Sequence, residues 1–175
     1  YVLISLGRQP MALTAAYRYL VLGTIGATFY LIGVGLLYQA TGTLNIADLA
    51  VRVSELSDSR SVRAAFGFMT VGIGIKLALF PLHVWLPNAY AYAPSVSSAF
   101  LAATATKVSI YVLIRVFYTI FGPAFSFETL PLDWVLLPLA IIAMFAGSVI
   151  AIFEVDVKRM LAYSSVAQIG YIILG

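Results

Sequence analysis

Long apolar runs separated by short polar segments dominate the sequence. Residues 19–38 and 134–153 each contain twenty positions without a charged side chain, and a helix of about 20 apolar residues crosses the ~30 Å hydrocarbon core of a bilayer. Two more runs are as long but carry cations: residues 64–86 contain Lys76, and residues 95–121 contain Lys107 and Arg115. The pattern therefore predicts four membrane-spanning helices.

Two shorter apolar runs lie at the ends of the chain, over residues 1–6 and 160–175. The second, as a helix, would reach only about 24 Å, so we predict both to be partial spans. The first residue is Tyr1 and no signal peptide is visible, which suggests an internal segment of a longer protein. The fold class predicted is an all-α polytopic membrane protein, because helices satisfy their own backbone polar groups in lipid.

The segment 46–56 has the pattern of an amphipathic helix lying on the membrane surface. Its apolar residues recur at helical spacing while its charged residues fall elsewhere, and Asn45 stands at the N-cap position. The apolar positions are Ile46, Leu49, Ala50, Val53 and Leu56, and the charged ones are Asp48, Arg52 and Glu55. A solvated loop is the alternative.

The composition strengthens the membrane interpretation and excludes several functions. Hydrophobic residues make up 62% of the chain and charged residues only 10%, whereas soluble domains have about 25% charged residues. There is no cysteine, which excludes disulfides, thiolate metal sites and iron–sulfur clusters. The net charge of +3 is scattered over the loops, so we expect no nucleic-acid partner and a lipid bilayer as the solvent.

Two lysines carry the chemistry that the sequence suggests. Lys76 and Lys107 each lie about thirteen residues into a predicted span, which places both roughly 18 Å deep, near mid-membrane. A central lysine costs roughly 2.5–3.5 kcal/mol on insertion scales, and it is too deep to extend to the headgroups. We therefore predict a proton relay through both lysines. Arg115, eight residues beyond Lys107, is predicted to be an interfacial anchor, and a role in transport is the alternative.

A helix break is predicted close to Lys76. Pro81 cannot donate a hydrogen bond to the carbonyl of Leu77, and Pro87 follows in the same run. Broken helices beside ionisable groups are typical of transporters, although an ordinary proline kink is the alternative. His83, the only histidine, is a candidate relay group or a structural one. A single histidine provides no metal site, and no catalytic or phosphate-binding motif is present.

These motifs resemble a known family. The run GIKLALFPLHVWLPNA from Gly74, followed by Ala93-Pro94, by Thr106-Lys107 and by the DVKRMLAYSS run from Asp156, closely resembles the proton-conducting antiporter-like subunits of respiratory complex I and of Mrp-type cation/proton antiporters. The resemblance covers nearly the whole chain. It implies a fragment of an antiporter-like inverted-repeat helix bundle, with a broken lysine-bearing helix, in the cell inner membrane.

The resemblance also assigns roles and an orientation. Lys76 would be the lysine of the broken helix and Lys107 the connecting lysine on the next helix, while the family's partner glutamate would lie upstream of Tyr1. The charge distribution leaves the orientation open, but the resemblance places four basic residues on the cytoplasmic side: Arg8, Arg18, Lys158 and Arg159. The expected partners are other membrane subunits of a multisubunit assembly, with protons and, in the antiporter branch, Na⁺ as the transported ions.

Departures from the family pattern indicate which branch of the family, complex I or the Mrp-type antiporters, the chain resembles more. Asn88 and Tyr90 stand where many complex I members have Asp and His, and Gln168 stands where many have a histidine on the tenth helix. Residues 41–50 look more like the corresponding segment of Mrp-type antiporters. We therefore expect the proton-conducting subunit of a Na⁺/H⁺ antiporter that binds no cofactor. The alternatives are a proton-pumping subunit of NADH:quinone oxidoreductase or a membrane hydrogenase, and a structural subunit that conducts no protons.

Overall fold

The computed structural model describes all residues 1–175, which form helices and connecting turns without a β-strand. The α-helices are α1 (Val2–Ser5), α2 (Pro10–Thr41), α3 (Ile46–Glu55), α4 (Arg60–Leu77), α5 (Trp85–Tyr92), α6 (Ser95–Arg115), α7 (Asp133–Phe153) and α8 (Val157–Leu174). Two π-helical segments, Val116–Ile120 and Ala124–Thr129, follow α6. The fold is an all-α polytopic membrane domain.

Three helices are long and apolar enough to cross a membrane. They are Pro10–Thr41 (α2), Ser95–Ile120 (α6 continued by the first π-helical segment) and Asp133–Phe153 (α7). The first begins nine residues earlier than its apolar run, because Pro10 occupies the first helical position, where no backbone N–H is needed. It ends at Gly42, whose φ of 73° suits glycine. Helix α4 is not among the three, since its eighteen residues carry Arg60, Arg63 and Lys76.

Glycines allow two pairs of helices to pack backbone against backbone. Helices α2 and α4 meet where a Cβ on Gly72 would lie 2.6 Å from the Gly26 carbonyl oxygen. Helices α7 and α8 meet where a Cβ on Gly170 would lie 2.7 Å from the Ala140 carbonyl oxygen. Such contacts leave no room for a side chain, and small residues are typical of helix interfaces in membranes.

Helix α3 packs against the first π-helical segment and contacts α2. Leu49 and Val53 of α3 are buried, and the side chain of Asn45 accepts a hydrogen bond from the Ala47 N–H, as an N-cap does. The buried Ser126 hydroxyl donates to the Phe117 carbonyl at 3.0 Å and joins the two π-helical segments. The location of α3 on the membrane surface stays a prediction.

Candidate functional site

The predicted span 64–86 is two helices with an irregular segment, residues 78–84, between them. Helix α4 ends at Leu77 because Ala78 adopts the left-handed conformation, with φ 62°, three residues before Pro81. The Leu79 N–H then donates to the Gly74 carbonyl at 2.9 Å. The break therefore starts at Ala78, and Pro81 lies within the irregular segment rather than at its beginning.

Pro87 does not break a helix, contrary to the sequence interpretation. It is the third residue of α5, in the first turn, where a backbone N–H has no partner within the helix. A proline at such a position costs no hydrogen bond. Pro87 is therefore compatible with the start of the second half-helix.

The indole of Trp85 joins the two half-helices. Its Nε1–H donates to the Ile75 carbonyl at 2.8 Å in a buried contact, and the Ala78 N–H donates to the same oxygen at 3.2 Å. Carbonyls at a helix end lack intrahelical donors and are costly to bury unpaired. Trp85 thus satisfies a freed carbonyl directly beside Lys76.

Lys76 is the next-to-last residue of α4 and lines a cavity of about 700 Å³ between α2, α4, α5 and α6. The C-terminal end of a helix favours a cation, because the helix macrodipole is negative there. The cavity's polar lining, apart from Lys76, is formed by Tyr19, Tyr30, Trp85, Thr104 and Ser109, and no carboxylate contributes to it. Lys76 therefore has a polar but uncharged environment within this chain.

The hydroxyls of α6 can act as acceptors in this cavity. Thr104 donates to the Phe100 carbonyl at 2.8 Å and Ser109 donates to the Ala105 carbonyl at 2.9 Å. Each hydroxyl retains lone pairs after donating its single proton. Both side chains can therefore accept hydrogen bonds from an ammonium group or from water.

Lys107 lies on the other side of α6. Thr104, Ala105 and Val108 line the Lys76 cavity, but Lys107 does not, and its Nζ donates to the Ala102 carbonyl at 2.9 Å. The sequence predicts a similar membrane depth for both lysines from their positions in the spans, and this depth stays a prediction. It could not show that the two side chains lie on different sides of one helix.

His83 lies in the irregular segment, half-buried between aromatic rings. Its ring stacks on Phe80 with centroids 5.1 Å apart. It also packs against Tyr163 of α8 in a T-shaped arrangement, with ring centroids 6.4 Å apart. Its Nδ1 is buried without a hydrogen-bond partner, and it does not line the Lys76 cavity. The structure therefore brings His83 to α8 and not to Lys76.

The remaining predicted residues lie away from this cavity. Arg115 is the last residue of α6 and is exposed, and its role as an interfacial anchor stays a prediction. Gln168 is exposed on α8. Neither side chain lines the space next to Lys76.

Two contacts of α5 were not predicted. The Tyr90 side chain is buried, and its hydroxyl donates to the Leu101 carbonyl of α6 at 3.3 Å. At the end of α5, the Ala93 carbonyl accepts a hydrogen bond from the Nζ of Lys158 at 2.9 Å. The sequence signals were only a departure from a family pattern at Tyr90 and a charge beside a loop at Lys158.

A bundle of long apolar helices, with a lysine at the end of a broken helix and facing a cavity that is open on one side, defines an integral membrane protein of the antiporter-like class. The family described as "NADH:quinone oxidoreductase/Mrp antiporter, TM" matches residues 1–175. The chain belongs to this family.

Relatives from both branches are similar over the full chain. The N subunit of the NADH-quinone oxidoreductase of Desulforudis audaxviator is 51% identical over 178 residues, which is 100% of this chain and 34% of that protein. The D subunit of the Na(+)/H(+) antiporter of Alkalihalophilus pseudofirmus is 37% identical over 177 residues, covering 100% of this chain and 35% of the relative. The chain thus spans about a third of the length of these relatives.

A solved structure supports the fold. A chain in the Mrp complex from Dietzia sp. DQ12-45-1b superposes with a TM-score of 0.86 at 31% identity, over 99% of this chain and 32% of the other. The similar chain is thus part of an Mrp complex. The fold and family of the resemblance are confirmed.

Proposed function

We propose that this chain forms part of a proton-translocating membrane subunit in which Lys76 is the central proton-binding group. The observation that supports this most directly is the placement of Lys76 at the end of a broken helix, facing a 700 Å³ cavity that holds no carboxylate. A cation without a fixed counter-ion can lose its proton when a neighbouring charge moves. Lys76 would therefore load and release protons rather than form a permanent ion pair.

Each part of the site has a role in this proposal. The irregular segment 78–84 ends α4 beside Lys76. Trp85 donates a hydrogen bond to the Ile75 carbonyl, so that this oxygen does not bind the ammonium group of Lys76. Thr104 and Ser109 offer acceptors across the cavity. Lys107 is the next proton-binding group, on the far side of α6.

His83 has a structural role in this scheme. Its stacking on Phe80 and its edge contact with Tyr163 pack the irregular segment against α8. The Nδ1 of His83 is buried without a hydrogen-bond partner, and His83 does not line the Lys76 cavity. In this proposal His83 therefore packs the irregular segment and does not carry protons.

The comparison with relatives favours a redox-driven assembly. The identity to the relative from the NADH-quinone oxidoreductase is 51%, against 37% to the relative from the Na(+)/H(+) antiporter. We therefore place the parent protein first in a proton pump of the NADH:quinone oxidoreductase type, in the inner membrane with other membrane subunits. The antiporter that the motifs favoured, with Na⁺ as the exchanged ion, is the second candidate.

The test uses the full-length parent protein in its complex, in inverted membrane vesicles with a pH-sensitive dye. We expect NADH-driven acidification that Lys76→Ala and Lys107→Ala abolish while the complex still assembles. The matched control is Arg60→Ala, which removes a cation from the other end of α4. Recovery of the quenched dye signal on adding Na⁺, lost in Lys76→Ala, would instead identify the antiporter, because Na⁺ entering the vesicles is exchanged for protons leaving them. Normal transport in both lysine variants would refute the relay.

A further inference from the structure

Half-helix α5 contacts the surroundings of both lysines. At its start, Trp85 donates to the Ile75 carbonyl, the residue before Lys76. Five residues later, Tyr90 reaches α6 and donates to the Leu101 carbonyl. Because Lys76 and Lys107 lie on different sides of α6, a proton needs a connecting group between them, and α5 is in position to supply one.

Tyr90 and Lys107 dock on consecutive carbonyls of α6. The Tyr90 hydroxyl donates to Leu101 at 3.3 Å, and the Lys107 Nζ donates to Ala102 at 2.9 Å. Consecutive residues of a helix differ by only ~1.5 Å along the axis and about 100° around it. The Thr106 side chain, which is buried, lies beside the same hydroxyl. The phenol is therefore adjacent to the docking point of the ammonium group.

A second tyrosine links Tyr90 to the Lys76 cavity. Tyr19 lines that cavity together with Lys76, and its ring packs on Trp85 with centroids 4.8 Å apart. Trp85 and Tyr90 both belong to α5 and lie five residues apart. Hydroxyl groups therefore extend from the side of Lys76, past the start of α5, to the docking point of Lys107.

We propose that the Tyr90 hydroxyl passes protons between the Lys76 cavity and Lys107. This rests on the proposed function and deepens it by naming the connecting group. A phenol both donates and accepts hydrogen bonds. A proton arriving from the cavity, directly or through water, adds to an oxygen lone pair of Tyr90 while the original hydroxyl proton leaves to the neutral amine of Lys107. Tyr90 ends as a neutral phenol, so one proton enters and one leaves.

A purely structural role for Tyr90 and a relay role predict different transport rates for Tyr90→Phe. The ring of Tyr90 is buried, so its packing would persist in Tyr90→Phe, which loses only the hydroxyl. A structural role predicts near-normal transport by this variant in the assembled complex. A relay role predicts a loss of at least about tenfold, because a positioned proton-transfer group contributes ~10²-fold or more.

The experiment measures initial rates of proton transport by the full-length protein in its complex, in inverted vesicles, normalised to the amount of assembled complex. The variants are Tyr90→Phe, Lys76→Ala and, as a matched control, Tyr38→Phe, which removes a phenol from the exposed end of α2. Tyr90→His, which restores a group able to donate and accept a proton, is expected to recover part of the rate. We expect transport to fall in Tyr90→Phe and to be unchanged in Tyr38→Phe.

The outcomes separate the two proposals. Normal transport in Tyr90→Phe with none in Lys76→Ala would overturn the role of Tyr90 and leave the proposed function intact. Normal transport in both would overturn both. If Tyr90→Phe does not assemble, 3-fluorotyrosine at position 90 keeps the shape and the hydrogen bond but makes the phenol more acidic. A changed rate or solvent deuterium isotope effect then supports the relay, and unchanged values refute it.

Discussion

Lys158, in the first turn of α8, donates a hydrogen bond to the carbonyl of Ala93 at the end of α5, although the two residues are 65 positions apart. Helix α8 also contacts the irregular segment through Tyr163 and His83. The second half-helix is therefore held at both ends: by Trp85 against α4 at its start and by Lys158 at its finish.

Removing the Lys158 contact should loosen α5. A hydrogen bond from a charged donor contributes roughly 1.5–3 kcal/mol when buried, and this half-buried one should contribute about 1 kcal/mol. We expect Lys158→Met to lower the thermal midpoint of the full-length protein in detergent and to slow proton transport without abolishing it. Lys158→Arg keeps a donor and should behave like the wild type. An equal loss in both variants would show that the hydrogen bond is not responsible.

The contact between α2 and α4 should tolerate no side chain at Gly72. A Cβ there would approach the Gly26 carbonyl oxygen to 2.6 Å, so the helices must separate. Gly72→Ala should destabilise the protein by about 1–3 kcal/mol, as overpacking does. The control is Gly35→Ala on α2, where a Cβ meets nothing within 4 Å. Thermal aggregation in detergent, followed by size-exclusion chromatography, measures both, and equal stability of the two variants would contradict the packing.

The hydrogen bond from the Trp85 indole should affect the rate of proton transport more than the packing of its ring does. Trp85→Phe keeps an aromatic ring against Tyr19 but leaves the Ile75 carbonyl without its indole donor. The freed oxygen can then bind the ammonium group of the adjacent Lys76 and delay proton release. We expect slower transport with little loss of assembled complex. A variant that transports at the wild-type rate would show that this carbonyl does not affect Lys76.

Acid should weaken the attachment of α3 to α2. Arg52 hydrogen-bonds Asp48 and lowers the pKa of that carboxyl below its ordinary value of 3.8, and Arg52 also donates to the Thr41 carbonyl at 2.8 Å. The pKa of Asp48 is lower in the folded state than in the unfolded state. The stabilisation that the Asp48–Arg52 pair gives to α3 is therefore complete above pH 3.8, and it disappears as the pH falls through the lowered pKa.

Hydrogen exchange of α3 amides, compared at pH 6 and below pH 3 after correction for intrinsic rates, measures this effect. We expect a small loss of protection at the lower pH, and Asp48→Asn should show the same loss at pH 6. Arg52→Ala should have the larger effect, because it also removes the hydrogen bond to Thr41. Protection in Asp48→Asn equal to that of the wild type at pH 6 would refute the role of this pair.

The glycines of α2 illustrate how far a sequence pattern extends. Gly23, Gly26, Gly33 and Gly35 all occur in one apolar run, which suggested close helix packing. Only Gly26 and Gly33 face α4, while a Cβ on Gly23 or Gly35 would meet nothing. Which face of a long apolar helix is buried depends on its neighbours, and an almost uniformly apolar surface carries no signal of that choice.

The helix break shows the same limit at the site. The sequence placed it near Lys76 because Pro81 lacks a donor, but the backbone turns three residues earlier, at Ala78. Alanine favours helices and does not signal a left-handed residue. The hydrogen bond from Trp85 to Ile75, ten residues apart, compensates the exposed helix end, and a pattern of local spacing does not contain that contact.

The sequence by itself determined the membrane class, the order of the helices and the family, because these follow from local runs of apolar residues and from motifs of fixed spacing. Only the tertiary structure decided that Lys76 faces a cavity while Lys107 lies on another side of α6, and that His83 contacts α8. These relationships depend on how helices rotate and pack against each other. That packing is set by contacts between residues distant in the chain, such as Lys158 with Ala93.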